Sequence, residues 1–353
     1  MNDKPGVRVG VVGCGWWATY AHLPGILEHP RATLAGLVDA DPARLEAAGR
    51  RFGSDARFAD VDQLLDGVAL DAVVVAAPNA LHHPVALAAL RRGKHVLLEK
   101  PMVIEPAHGS ELIAMAEREN VHLIVGYPMH YNAQALALRD TIARGRIGTV
   151  EHVACLYGST VRELYRGDPE AYRDAVFEYP VTPPAAATYR DPALAGGGQG
   201  QSQVSHAAAL LLFLTGLRPD DVAAFTSNFG LAVDLADTIA IRFEGGALGT
   251  ISSTGGLLPG HDEIVRCEIF GEAGHITFDV NAGLAAIHDR SGVEWLPVPD
   301  AADRCPAGAP VRNLVDAALG QATNGSRPEI GLRTAELVAA MYRSARDGRV
   351  VAA

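Results

Sequence analysis

Cysteine is scarce in this 353-residue chain: Cys14, Cys155, Cys267 and Cys305 lie far apart, with no C-x-x-C pair. That spacing excludes a disulfide-stapled scaffold and suits reduced thiols in a cytoplasmic protein. Positive charge is also short. Thirty lysines and arginines face 41 aspartates and glutamates, a formal net charge of −11, which argues against nucleic acid or an anionic membrane as partner. No stretch approaches the roughly 20 apolar residues that span a bilayer. The opening MNDKPGVRVGVVG enters a strand-like run without the apolar segment of a signal peptide. The thirteen histidines form no H-E-x-x-H or H-x-H group, and His82-His83 cannot share one helix face, so no metal is expected. A G-x-S-x-G nucleophile elbow is missing as well.

What is present begins with VRVGVV, a β-branched run ending in Gly13-Cys14-Gly15-Trp16-Trp17-Ala18. This is G-x-G-x-x-A, a permitted form of the dinucleotide fingerprint. Gly13 allows the tight turn, Gly15 lets backbone approach a pyrophosphate, and Ala18 keeps the next helix close to the sheet, its first amides facing phosphate. A second apolar run, 34–38, ends in Asp39, where a carboxylate accepts hydrogen bonds from both ribose hydroxyls. The same charge repels a 2′-phosphate, so NAD is expected rather than NADP. Asp41-Pro42 reads as a helix start, and Arg44 beyond it lies either near the adenine or in solvent.

The third unit has a helix over 61–66 and an uncharged strand run to Ala77, followed by Pro78-Asn79 and His82. An amphipathic helix is predicted over 85–92. The run 95–98 then ends in Glu99-Lys100-Pro101. A charged pair at the mouth of a buried strand is costly, and desolvation lowers a lysine pKa toward values useful for proton transfer. The tripeptide reads equally as a strand end with a proline turn. Ligands of open parallel sheets bind at the carboxyl ends of the strands, and the fingerprint, Asp39, Pro78-Asn79 and Lys100 all occupy such ends. The predicted fold is an α/β Rossmann domain with a doubly wound parallel sheet over residues 1–128. An α+β domain with a large, mostly antiparallel open sheet follows over 129–353.

The segments VGVVGCGWWA, AAPNALHHPVALAALRRGKHVLLEKP, VGYPMHYN, GRIGTVEHV and GGGQGQSQVSHAAALLLFLTG together resemble the Gfo/Idh/MocA oxidoreductases, over nearly the whole chain. The resemblance implies hydride transfer between NAD and a hydroxyl-bearing carbon of a sugar, cyclitol or glycoside. It implies Lys100 and His206 as catalytic residues at the reacting oxygen. Gly13, Cys14, Gly15, Trp16, Trp17, Ala18, Asp39, Arg44, Pro78, Asn79, His82, Glu99 and Lys100 would be cofactor-binding. Many relatives carry an aspartate four residues before the histidine, where this chain has Ser202. Positions 202 and 206 share a helix face, so Ser202 and the neighbouring Gln203 are candidate substrate contacts, as are His130 and Tyr131 near the cleft. Gln199 and Gln201 add amides nearby. Two other readings stay open: a glycosidase that oxidises, eliminates and re-reduces with retained NAD, and a non-catalytic dinucleotide-binding sensor.

Between Gly158 and Ala195 lies a polar connection rich in arginine and tyrosine (Arg162, Tyr165, Arg166, Tyr172, Arg173, Tyr179, Tyr189, Arg190), expected to cap the cleft. Alternating runs follow, and patches such as Ile239-Ile241-Phe243 suggest a homodimer or homotetramer formed through the open sheet.

Overall fold

The computed structural model describes residues 6–176 and 183–353; Tyr179 lies outside them. Six strands form a parallel sheet: β1 (Val7–Val12), β2 (Ala32–Val38), β3 (Arg57–Phe58), β4 (Ala72–Val75), β5 (His95–Leu98) and β6 (Leu123–Val125). Their order, β3-β2-β1-β4-β5-β6, reverses direction between β1 and β4. β4 is fully buried and β1 and β5 nearly so, as expected of valine- and leucine-rich strands covered on both faces. Local chemistry sets the helix starts. Asp41 accepts from the amides of Ala43 and Arg44 to begin Pro42–Phe52, and Asp60 begins Val61–Gly67 in the same way.

Helix His82–Leu90 starts three residues earlier than the expected 85–92 and is not amphipathic. His82, Val85, Ala86, Leu87, Ala89 and Leu90 are all buried, because the helix is sandwiched between the sheet and helix Pro106–Arg118. Two-sided burial removes the polar stripe that a surface helix shows.

A nine-stranded sheet makes up the second half. It contains β7 (Val150–Gly158), β8 (Pro219–Ser227), β9 (Ala236–Phe243), β10 (Leu248–Thr254), β11 (Ile264–Gly271), β12 (Gly274–Asp279), β13 (Leu284–Asp289), β14 (Gly292–Trp295) and β15 (Val351–Ala352). Pairing is antiparallel except between β7 and β10. One face packs on helices Ala133–Ala143, Ser205–Thr215 and Pro328–Asp347. The other face is open, and its exposed apolar members include Leu156, Phe225, Leu248, Phe270, Leu284 and Trp295. Ile239, Ile241 and Phe243 are buried on the helix side, which overturns them as an exposed patch: with a side-chain period of two, they belong wholly to the inner face.

The long connection after β7 is largely helical, with Arg162–Arg166, Pro169–Val176, Ala187–Arg190 and Pro192–Ala195. Val161, Leu164, Tyr165 and Tyr172 pack there with Val233 and Leu235.

The chain finally returns to its first sheet. Helix Ala309–Ala318 packs across β4, β5 and β6, and its Val311, Leu314 and Val315 share one buried core with Val74, Leu97 and Ile124. Leu314 has no exposed surface, and truncating such a residue costs roughly 2–5 kcal/mol. Leu314→Ala is therefore expected to lower the unfolding midpoint and weaken NAD binding together, read by thermal unfolding with and without NAD. Lowered stability with unchanged NAD affinity would separate this helix from the cofactor-binding half.

Candidate active site

One cavity of about 900 Å³ runs along the carboxyl ends of the first sheet and under the helical connection. Gly13 adopts φ +94°, and a Cβ there would collide with the carbonyl of Ala76, so only glycine lets β1 and β4 close at this point. Gly15 is different. A Cβ on it meets nothing within 4 Å, because its backbone faces open cavity at the start of the following helix. The Asp39 carboxylate is oriented by the amides of Cys14 and Asp41, each at 2.8 Å. Arg44 stands 3.9 Å from Asp39, on the cavity wall. The set of open glycine, adjoining helix start and fixed carboxylate fits a dinucleotide.

Trp16 and Trp17 line the cavity, and the Trp16 indole donates to the Tyr189 hydroxyl at 3.3 Å. Cys14 instead turns inward: its thiol is fully buried and faces the carbonyl of Val38. Asn79 lines the wall and donates to the Ala195 carbonyl at 2.8 Å. His82 points its two ring nitrogens at the carbonyls of Pro101 (2.7 Å) and Ala77 (3.0 Å). Burial lowers its pKa. Its ring is thus committed to the two loops that edge the cavity.

The reacting end gathers around Lys100. Glu99 is clamped by His22, with Nε2 at 2.8 Å from Oε1, and its other oxygen accepts from the Lys100 amide at 3.1 Å. His22 reaches it from a π-helical turn, Ala18–His22. The Lys100 ammonium donates to the Ser202 carbonyl at 2.9 Å, across to the second domain. Burial holds this lysine below its usual range, with Glu99 and Glu263 pulling the other way. Ser202 belongs to a second π turn, Gly200–Val204, which leads into helix Ser205–Thr215. π turns interrupt the regular ladder and gather at functional sites. His206 lines the cavity with Nδ1 unpartnered among the described residues. Burial, then Lys100, push its pKa well down, so the imidazole is neutral.

Comparison with known proteins settles the family. The model described as "Oxidoreductase family, NAD-binding Rossmann fold" matches residues 7–127, and the "GFO/IDH/MocA C-terminal domain" matches 135–277. The chain belongs to the Gfo/Idh/MocA oxidoreductases. A dTDP-3,4-didehydro-2,6-dideoxy-alpha-D-glucose 3-reductase of Saccharopolyspora spinosa is 29% identical over 279 residues, 78% of this chain and 75% of the relative. A myo-inositol 2-dehydrogenase of Thermotoga maritima is 25% identical, over 77% and 75% of the two chains. The structure of GenD2 from gentamicin A biosynthesis in complex with NAD superposes with a TM-score of 0.81 at 26% identity, covering 100% of this chain and 98% of that one.

Within this Gfo/Idh/MocA chain, two expected substrate contacts are displaced from the site. His130 is buried away from the cavity, with its nitrogens on Ser326 Oγ (2.9 Å) and the Ala209 carbonyl (3.2 Å) and its ring stacked on Phe213. Burial pushes it down to about 3. Tyr131 donates to Asn313 at 3.0 Å and does not line the cavity. Their segment reaches the cavity only through Pro128 and Met129. Ser202 contributes its carbonyl more than its hydroxyl, which donates to Gly198 O at 2.9 Å and meets the Tyr165 hydroxyl. Gln203 lines the wall, while Gln199 is buried on Ser253.

Tyr172, from the connection expected to cap the cleft, does line it, and the lining also includes Tyr157, Glu263 and Cys305, none of which the sequence motifs singled out. Tyr157 donates to Glu263 at 3.2 Å, and its ring centroid lies 6.1 Å from that of His206. Burial pushes the Glu263 carboxyl up, with Tyr157 and Lys100 opposing. The signal for Glu263 was faint, since an acidic pair before a strand reads as an ordinary turn.

Asp234 cradles the segment that launches the site helix. Its carboxylate accepts from the amides of Gly198 (2.8 Å) and Gly200 (2.7 Å) and from the Tyr342 hydroxyl (2.8 Å). Burial, then the charge of Asp234, push the nearby Asp237 up to about 9. An unfolded aspartate titrates near pH ~4. Between those values the folded chain holds the extra proton, so this residue makes stability fall as pH rises. Asp237→Asn is expected to raise the unfolding midpoint relative to the parent at about pH 8 and leave it little changed at about pH 4. An equal effect at both pH values would count against the raised carboxyl.

Proposed function

We propose that this chain uses NAD to interconvert a hydroxyl-bearing carbon and a carbonyl on a sugar or cyclitol, with Lys100 and His206 at the reacting oxygen. The observation that carries this reading is the desolvated Lys100 ammonium, held by a single backbone carbonyl opposite a neutral, cavity-facing His206. Bound NAD would supply the hydride acceptor, and its place would be set by Gly13, Gly15, Asp39 and Pro78. The substrate class is supported by relatives named as a nucleotide-sugar reductase and an inositol dehydrogenase.

The chain's own groups account for the proton. During oxidation a neutral Lys100 amine takes the hydroxyl proton; during reduction its ammonium gives one to the forming hydroxyl. The Ser202 carbonyl accepts from Nζ and so aims the amine without sharing in the proton transfer. His206, kept neutral by burial, offers a second hydrogen-bonding atom for the same oxygen. The lone pair on the amine and the imidazole together replace the carboxylate that many relatives carry at position 202. Glu99 takes no proton in this scheme. It fixes the Lys100 backbone through His22 and the Lys100 amide.

The open face of the nine-stranded sheet, with Phe225 and Leu248 exposed on it, supports a homodimer or homotetramer. No helix among the described residues is long and apolar enough to cross a membrane.

Lys100→Ala is expected to reduce turnover by roughly 10³-fold while NAD affinity holds, measured as NADH absorbance over a panel of sugars and cyclitols and by NAD titration. Undiminished turnover would remove Lys100 from the reaction. In the parent, kcat/KM for oxidation should rise with pH to a plateau, with a midpoint below the ~10.4 of an ordinary lysine. The same panel run with NADP should give much lower kcat/KM, and Asp39→Ala should narrow that gap. An NADP preference in the parent would sink the assignment of Asp39 to the ribose.

A further inference from the structure

The charges on the cavity wall are unevenly shared between its two ends. Asp39, Asp41, Arg44 and Asp60 stand where β2 and β3 end, at the cofactor end. At the reacting end the described lining holds one cation, Lys100, and two carboxyls, Glu99 and Glu263. Glu99 is occupied by His22 and by the Lys100 amide. Glu263 keeps more freedom: one oxygen accepts from Tyr157, and the other accepts no hydrogen bond among the described residues. Its backbone is held in place by Asn281, which donates to the Glu263 carbonyl at 2.7 Å, and β11 begins with the next residue.

The four arginines of the helical connection, Arg162, Arg166, Arg173 and Arg190, do not redress this balance, because none of them lines the cavity. Arg166 pairs with Glu163 at 2.6 Å and Arg173 with Asp174 at 2.8 Å. Residues 177–182 contain no lysine or arginine. Phosphate and carboxylate ligands are generally met by arginine forks or several cations. Here a ligand anion would find Lys100 already turned to a carbonyl and would face Glu263 across the same space. A hydroxyl can donate to that carboxylate, and an ammonium group can pair with it in a setting drier than bulk water.

We propose that Glu263 determines the specificity of this site, selecting polyols that are uncharged or carry an amino group over those that carry phosphate or carboxylate. This rests on the oxidoreductase reading above and narrows its substrate class. Burial raises the Glu263 carboxyl, and an ammonium ligand would favour its ionised form. A neutral polyol needs no such change.

Three ligands with the same ring separate the cases: glucosamine, glucose and glucose 6-phosphate, titrated calorimetrically into the NADH-loaded full chain. Glucosamine is expected to bind most tightly and glucose 6-phosphate most weakly. Glu263→Gln should lower the glucosamine-to-glucose affinity ratio by about tenfold, the scale of one charge-assisted contact, and should relieve the penalty on the phosphate. Glu263→Asp should retain part of the preference, and the unfolding midpoint of each variant checks that it folds. Glucose 6-phosphate binding the parent as tightly as glucose, glucosamine failing to bind, or a ratio unmoved by Glu263→Gln would each overturn the inference. The two readings fail separately. A chain that forms NADH from sugars without charge discrimination loses only the role of Glu263. One that discriminates by charge yet never reduces NAD loses the oxidoreductase reading.

Discussion

The hydrogen bond from Lys100 to the Ser202 carbonyl is the contact on which the reacting end depends. An ammonium stripped of water is costly, and one backbone carbonyl offsets only part of that cost. The surrounding structure supplies the rest by fixing both partners. On the lysine side, Glu99 is locked by His22 and pins the Lys100 amide. On the carbonyl side, Asp234 gathers the amides of Gly198 and Gly200 and sets where the π turn begins. Lys100 follows the last residues of β5 and Ser202 lies in the π turn of the second half, so the position of the amine is defined only when both halves are assembled.

Three of the histidines near this contact contribute no charge to it. Burial lowers His82, His130 and His206 alike. Three of their ring nitrogens face backbone carbonyls, two on His82 and one on His130. The electrostatic character of the cavity is therefore left largely to a few carboxyls, Arg44 and Lys100.

How much was legible in the sequence depended on whether the needed partners are close along the chain. The fingerprint turn, the helix starts at Asp41 and Asp60, and the strand ends at Asp39 and Lys100 rest on local chemistry, and they could be read directly. His130 could not, because its partners Ser326 and Ala209 are distant in sequence and only the folded chain brings them together. Glu263 has the same difficulty in reverse: its environment comes from Tyr157 and Lys100, on other elements. The inner placement of Ile239, Ile241 and Phe243 was ambiguous for another reason. A strand with apolar residues every second position shows which residues share a face, but not which face meets the helices. Ser202 shows a third limit. The side chain drew notice as a departure from relatives, while the atom that matters there is a backbone carbonyl every residue possesses.

The return of helix Ala309–Ala318 to the first sheet bears on how the protein is made. On the ribosome, the strands that bind the dinucleotide emerge early, but one face of them waits for Val311, Leu314 and Val315 near the other end of the chain. Until those residues arrive, the nascent first half carries an uncovered apolar sheet face of the kind that invites misassembly. The cofactor-binding half is therefore finished last although it is synthesised first, and a cut placed after its sixth strand would yield a fragment lacking part of its own core.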